Sequence, residues 1–202
     1  MDRLTIQVGS YEVNCSILYE SGLAWIVDPG QEGDRIAGLI EGKGLVPAAI
    51  LLTHAHFDHI SGIPALKKRF PDLPVYVHPA DMPMFGHPMN QYPGEYASIG
   101  VPENLKDVAD LPSVLPSVSV IETPGHTPGG VCYHFPQDAL LLSGDTLFAG
   151  SIGRTDFPGG SMARMVESLR LLTALPDGTL VIPGHGPHTT IAAEKRSNPY
   201  LV

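Results

Sequence analysis

The sequence predicts an α/β (α+β) fold, a four-layer αββα sandwich built as a single domain over residues 1–202. Three observations carry that prediction. Short strand-like runs fall into two groups, helix-period segments finish each group, and one unbroken apolar run at Ala48–Thr53 reads as a strand covered on both faces. A chain of 202 residues fits one compact domain, given that domains hold roughly 100–200 residues. Its 22 Gly and 20 Pro assign much of the chain to turns and shaped loops.

In order, Leu4–Val8, Val13–Tyr19 and Ala24–Val27 read as strands of an antiparallel meander, closed by the Asp28-Pro29-Gly30 turn. A short helix is expected from Asp34 to Glu41, then the strand Ala48–Thr53. From Ile60 to Phe70, Ile63, Leu66 and Phe70 recur at helical spacing, with Lys67, Lys68 and Arg69 near the helix end; Val75–Val77 follows as a strand. Residues 79–116 carry Pro, Met, Tyr and Gly without a sustained period, and read as a long, partly helical excursion of the kind that covers a pocket. Order resumes with strands at Val118–Glu122, Val131–Phe135 and Ala139–Leu142. A helix at Ser161–Leu175, a strand at Thr179–Ile182 and a last helix at Ile191–Arg196 complete the chain.

The formal net charge of −9 offers no broad basic surface for releasing counterions from nucleic acid, so no nucleic-acid partner is expected. The first twenty residues alternate polar and apolar rather than placing a basic start before an apolar block, and no apolar stretch approaches bilayer length. A cytoplasmic protein without a membrane partner is therefore expected. Cys15 and Cys132 stand at strand-like positions, which fits reduced, buried thiols better than a disulfide.

The chemistry is concentrated in His54-Ala55-His56-Phe57-Asp58-His59, three imidazoles and a carboxylate at a strand-to-helix junction. Such donors suit zinc, iron or manganese. Alternate spacing lets His54 and His56 point the same way while the backbone is extended, and the start of a helix turns Asp58 and His59 toward a second position. A polar loop with Asp58 as a helix cap is the plainer reading, but buried polar groups without partners cost about 1–3 kcal/mol each, and the cluster is dense. Three further candidates each follow a predicted strand: His126 in Pro124-Gly125-His126, Asp145 in Ser143-Gly144-Asp145, and His185 in Pro183-Gly184-His185. Taken alone, Asp145 reads equally as a turn residue. His78, His87, His134 and His188 fall outside the set and read as structural.

These motifs, with Gly125-His126-Thr127-Pro128-Gly129, Gly144-Asp145-Thr146-Leu147-Phe148 and Gly184-His185-Gly186, resemble the metallo-β-lactamase superfamily over nearly the whole chain. The segment Gly150–Phe157 and the tail from Pro183 to Pro199 are most similar to short glyoxalase-II-like (hydroxyacylglutathione hydrolase-like) enzymes. The resemblance implies a metallo-β-lactamase sandwich holding two divalent metal ions, zinc first with iron or manganese as alternatives. His54, His56 and His126 would hold one ion, Asp58, His59 and His185 the other, and Asp145 would bridge them. It implies a thioester hydrolase in which a metal-bridging hydroxide attacks a substrate such as S-lactoylglutathione, with Asp58 as the catalytic group that orients the nucleophile. Two ions bring four positive charges, two aspartates and a hydroxide return three, and the site keeps about one net positive charge. Asp28 and Thr53 would orient ligands, with a plain turn as the other reading of Asp28. Arg154 matches a basic, substrate-binding position and would meet a substrate carboxylate, or else pair with Asp156, which stands where the family usually has an aromatic residue.

Two rival readings remain. Persulfide dioxygenases of the same superfamily share a Gly-Arg-Thr-Asp-Phe segment and would use His54, His126 and Asp145 around one Fe(II). A non-catalytic metal-binding protein could keep the fold. β-Lactamase activity is not favoured, since Asp145 stands where a common class of those enzymes has a cysteine.

Overall fold

The computed structural model describes residues 1–90 and 99–201. Residues 91–98, the middle of the 79–116 excursion, lie outside the described residues. The chain forms two compact units, 1–108 and 109–202.

The first unit is a six-stranded mixed sheet in the order β1-β2-β3-β4-β5-β6. Strands β1 (Asp2–Val8), β2 (Val13–Glu20) and β3 (Leu23–Val27) form the expected meander. Strands β4 (Val46–Leu51), β5 (Val75–Val77) and β6 (Leu105–Asp107) then add in parallel. Parallel addition requires crossovers, supplied by helix α1 (Gly33–Gly42) and by α2 (Phe57–Ile60) with α3 (Ile63–Arg69). Ile36 and Ile40 of α1 and Ile63 and Leu66 of α3 are buried with Ile17, Ile26, Ile50 and Val75 of the sheet. Each such side chain contributes about 1.5–3 kcal/mol by leaving water.

Two expectations are corrected here. The helix expected from Ile60 to Phe70 is broken at Ser61–Gly62, because Gly62 lies against the turn after β3 and donates its N–H to the Pro29 carbonyl at 2.7 Å. Strand β4 stops at Leu51 rather than Thr53, which releases residues 52–56 from the ladder. In the described part of the excursion, 3-10 turns at Pro79–Met84, Pro88–Asn90 and Val108–Ser113 agree with a partly helical reading, while β6 was not expected.

The second unit is a five-stranded sheet in the order β13-β12-β9-β8-β7 with a small hairpin beside it. Its strands are β7 (Ser119–Glu122), β8 (Val131–Phe135), β9 (Leu140–Gly144), β12 (Leu180–Pro183) and β13 (Thr189–Thr190); β10 (Leu147–Phe148) and β11 (Ser151–Ile152) make the hairpin. Helix α4 (Met162–Thr173) starts where the Ser161 hydroxyl accepts the Arg164 N–H. Helix α5 (Ile191–Ser197) starts where the Thr190 hydroxyl accepts that of Ala193. Met165, Leu169 and Leu172 of α4 and Ile191 of α5 are buried with Cys132, Leu141 and Val181. Both cysteines are free and buried, as expected. Among the described residues, no helix is long and apolar enough to cross a membrane.

Candidate metal centre

In the first unit the site grows from the carboxyl ends of two parallel neighbours, β3 and β4. Asp28, one residue past β3, takes a left-handed backbone (φ 50°), which turns its carboxylate toward the segment leaving β4. That carboxylate accepts the Thr53 N–H at 2.8 Å, the Thr53 hydroxyl at 2.7 Å and His59 Nδ1–H at 3.1 Å. The Thr53 hydroxyl has spent its proton on Asp28, so its 3.1 Å contact with His54 Nδ1 makes the imidazole N–H the donor. Thus one aspartate fixes the tautomer of two histidines, His59 directly and His54 through Thr53. In each ring Nε2 is left as the lone-pair atom, the form that binds a metal.

The ring centroids of His54 lie 4.8 Å from His56 and 4.1 Å from His59. His59 Nε2 faces Asp58 Oδ2 at 3.9 Å. All four of these residues are buried. Asp58 is held from below by Gly30, where a Cβ would overlap the Asp58 carbonyl oxygen.

In the second unit, β9 and β12 are again parallel neighbours, with Asp145 and His185 just beyond their carboxyl ends. The two turns are tied together by the Gly184 N–H on the Gly144 carbonyl at 2.8 Å. His126 sits in a turn clamped by α4: Ser168 Oγ donates to the Pro124 carbonyl at 2.7 Å and the Ser161 N–H to that of Gly125 at 2.8 Å. His126 Nδ1 meets the Arg154 carbonyl oxygen at 2.7 Å. A carbonyl only accepts, so Nδ1 carries the proton and Nε2 the lone pair.

Asp145 Oδ2 then lies 3.5 Å from His126 Nε2 and 3.7 Å from His185 Nε2. These distances exceed the 2.7–3.2 Å of a hydrogen bond. They are close to the spacing of about 3.4 Å between two ligands on one tetrahedral zinc at 2.0–2.1 Å. An oxygen with a histidine nitrogen on either side is the arrangement expected of a bridging carboxylate. Nitrogen and carboxylate donors of this kind fit divalent transition metals.

The structure therefore gathers His54, His56, Asp58 and His59 in the first unit and His126, Asp145 and His185 in the second. Asp28 is both a turn and a ligand-orienting residue. Arg154 is engaged elsewhere: its guanidinium makes two bonds to Asp156, at 2.9 and 2.8 Å, and lies 4.2 Å from the centre of the Phe157 ring. The pairing raises the Arg154 pKa and lowers that of Asp156. What Arg154 gives His126 is its backbone oxygen, a role that residue type does not signal. Gly30 and Gly153, which bring backbones against the two aspartates, were also not singled out by the sequence.

The family model of the metallo-β-lactamase superfamily matches residues 8–185. The chain belongs to that superfamily. A probable metallo-hydrolase, YqgX of Bacillus subtilis, is 39% identical, the match covering 96% of this chain and 94% of the relative. The hydroxyacylglutathione hydrolase GloC of Haemophilus influenzae is 33% identical over 97% and 96%. Among solved structures, the BLEG-1 B3 metallo-β-lactamase superposes with a TM-score of 0.85 at 34% identity, covering 99% of both chains. TTHA1623 in a di-iron-bound form gives 0.80 at 35%, covering 98% of this chain and all of the other. The metallo-β-lactamase α/β fold predicted from the sequence is the fold observed, and the chain is a metal-binding hydrolase of this superfamily.

Proposed function

We propose that the two ligand sets form one dinuclear centre, and that this centre hydrolyses a thioester of the S-lactoylglutathione kind. His54, His56 and His126 would hold one divalent ion, Asp58, His59 and His185 the other, with Asp145 between them. The observation that carries the proposal is tautomeric: Thr53, Asp28 and the Arg154 carbonyl each take the Nδ1 proton of a different histidine, which prepares three Nε2 atoms as ligands. When bound, two such ions supply Lewis acidity and bring the pKa of water toward neutrality.

The chain's own residues do the rest. Asp58, half of whose neighbourhood is set by Gly30 and His59, orients the attacking water and carries its proton toward the leaving thiolate. Asp28 keeps the ligand rings fixed, so no reorganisation is needed during the reaction. Asp28 also revises the charge arithmetic, since a third buried carboxylate cancels the remaining positive charge. Substrate capture then rests on local contacts, with Arg154 as the substrate-binding residue once Asp156 yields it. The thioester assignment is supported by the resemblance to GloC over nearly the whole chain. Zinc is the expected metal, with iron as the alternative that the di-iron form of TTHA1623 supports. We place the protein in the cytoplasm, acting on a small-molecule thioester without nucleic-acid or membrane partners.

The likeness to BLEG-1 favours one competing substrate class, the β-lactams, because a B3 enzyme shares this fold over 99% of both chains. The test is elemental analysis of the purified protein with three assays on one preparation: S-lactoylglutathione hydrolysis, hydrolysis of a chromogenic cephalosporin, and oxygen uptake with glutathione persulfide. Near two metals per chain with thioester turnover is the expected result. One iron with persulfide-dependent oxygen uptake, or cephalosporin turnover alone, overturns the thioesterase reading.

A further inference from the structure

Residues 52–56 have left the ladder of β4, so their buried peptide groups need other partners. Leu52 still donates to the Tyr76 carbonyl, and Thr53 donates to Asp28. Ala55, between the two histidines, is completely buried, and both of its peptide groups are held by side chains from the segment after β5. Its N–H donates to Asp81 Oδ2 at 3.1 Å, and its carbonyl accepts from Asn90 Nδ2 at 2.6 Å.

The Ala55 N–H belongs to the peptide plane that joins it to His54, and its carbonyl to the plane that joins it to His56. Each bond therefore fixes one of the two planes from which an imidazole is hung. Rotation of either plane would swing a ligand ring, and metal sites tolerate only about ±0.2 Å in ligand distance.

Both partners are themselves immobilised. Asp81 and Asn90 are buried, at 0% and 2% exposure, which places the clamp beyond the competition of water. The Asp81 N–H donates to the His78 carbonyl, and the His78 ring accepts from the Ala80 N–H, which caps the 3-10 turn carrying Asp81. Asn90 also donates to the Met84 carbonyl at 2.8 Å, and its own N–H to that of His87.

We infer that Asp81 and Asn90 are positioning residues, a two-sided clamp on the Ala55 peptide groups that sets the His54 and His56 rings for the metal they share. The inference rests on the dinuclear reading above. It gives the excursion after β5 a task besides covering a pocket: it stands in for the neighbouring strand that β4 lacks beyond Leu51.

The experiment titrates metal-free wild type, Asp81→Asn, Asp81→Ala and Asn90→Ala with zinc against a chromophoric chelator, and with cobalt for its ligand-field spectrum. Unfolding midpoints of the metal-free proteins are measured alongside. Asp81→Ala and Asn90→Ala are expected to weaken one of the two ions by about 10–100-fold, the usual loss when a group supporting a ligand is removed. The second ion should change far less, and the cobalt spectrum should shift. Asp81→Asn keeps an oxygen facing the Ala55 N–H and should restore wild-type affinity; if it behaves like Asp81→Ala, the positional role of Asp81 is overturned. Equal loss of both ions in step with a lowered unfolding midpoint, or affinity within twofold of wild type in both alanine variants, overturns the clamp. Should those variants fail to fold, Asn90→Asp sets an oxygen against the Ala55 carbonyl at nearly unchanged volume, and must show the same selective loss. Wild type that holds no zinc overturns the dinuclear reading itself, a result distinct from failure of the clamp alone.

Discussion

Gly153 lies so close to Asp145 that a Cβ at position 153 would overlap the Asp145 carbonyl oxygen and come within 3.3 Å of the His126 Cβ. The overlap is with backbone, so no change of rotamer relieves it. Gly153→Ala is expected to displace Asp145 or the Arg154 carbonyl that orients His126. Overpacking of this kind costs about 1–3 kcal/mol. Gly178→Ala is the control in the same unit, because a Cβ there meets nothing within 4 Å and the backbone is not left-handed. It should be neutral, or stabilising by about 0.4–1 kcal/mol. Denaturant unfolding of the metal-free proteins and zinc content after dialysis measure both; equal behaviour of the two variants would remove the argument.

Thr53 relays one aspartate to a second histidine, and that relay needs only a hydroxyl. Thr53→Val keeps the shape and loses both the donor to Asp28 and the acceptor for His54 Nδ1. Zinc affinity should fall by about 10–100-fold, whereas Thr53→Ser should retain it. Competition with a chelator reads the difference. A valine variant with unchanged affinity would show that the His54 tautomer is set by something other than Thr53.

The site was legible where chemistry restricts residue type. His54, His56, Asp58 and His59 stand together because only a few side chains ligate metals, and strand-end turns present His126, Asp145 and His185 for the same reason. What was not legible acts through the backbone. Asp81 and Asn90 bind peptide groups 26 and 35 residues away in a segment without period, and Arg154 orients His126 through a carbonyl that any residue would offer. The fold divides similarly. Long strands and helices showed their periods, but β10, β11 and β13 have two residues each, too few for alternation to register. The break at Ser61–Gly62 was hidden because apolar spacing continues across it; its cause is a contact with Pro29, distant in sequence.

Arg154 has two claimants, Asp156 and a substrate carboxylate. Both bonds from its guanidinium now go to Asp156, and the pair is exposed, so the competition is weak. Asp156→Ala releases the cation and should lower KM for an anionic thioester by about twofold to fivefold, the scale of an exposed ion pair, with kcat unchanged. Arg154→Ala should raise KM in both backgrounds. Steady-state kinetics at two salt concentrations tests this, since the effect must shrink as salt rises. If KM is indifferent to Asp156, Arg154 serves only to steady its own carbonyl.

His134 on β8 supplies a pH dependence separate from the ligands. Its register partners are Ser119 of β7 and Leu141 of β9, and burial lowers its pKa from the ordinary 6.5. The unfolded chain therefore takes up this proton first. Stability that is fully present above pH 6.5 is lost as the pH falls through the lowered value in the folded protein. His134→Gln removes that linkage. Unfolding of the metal-free protein in urea should show the wild type losing more stability than the variant between pH 7.5 and pH 5.5, with the two running parallel above pH 7. Metal-free protein is needed because protonation of His54, His59 or His126 would otherwise release the ions in the same range and mask the difference. Identical slopes for wild type and variant would mean that His134 keeps an ordinary pKa in the folded protein.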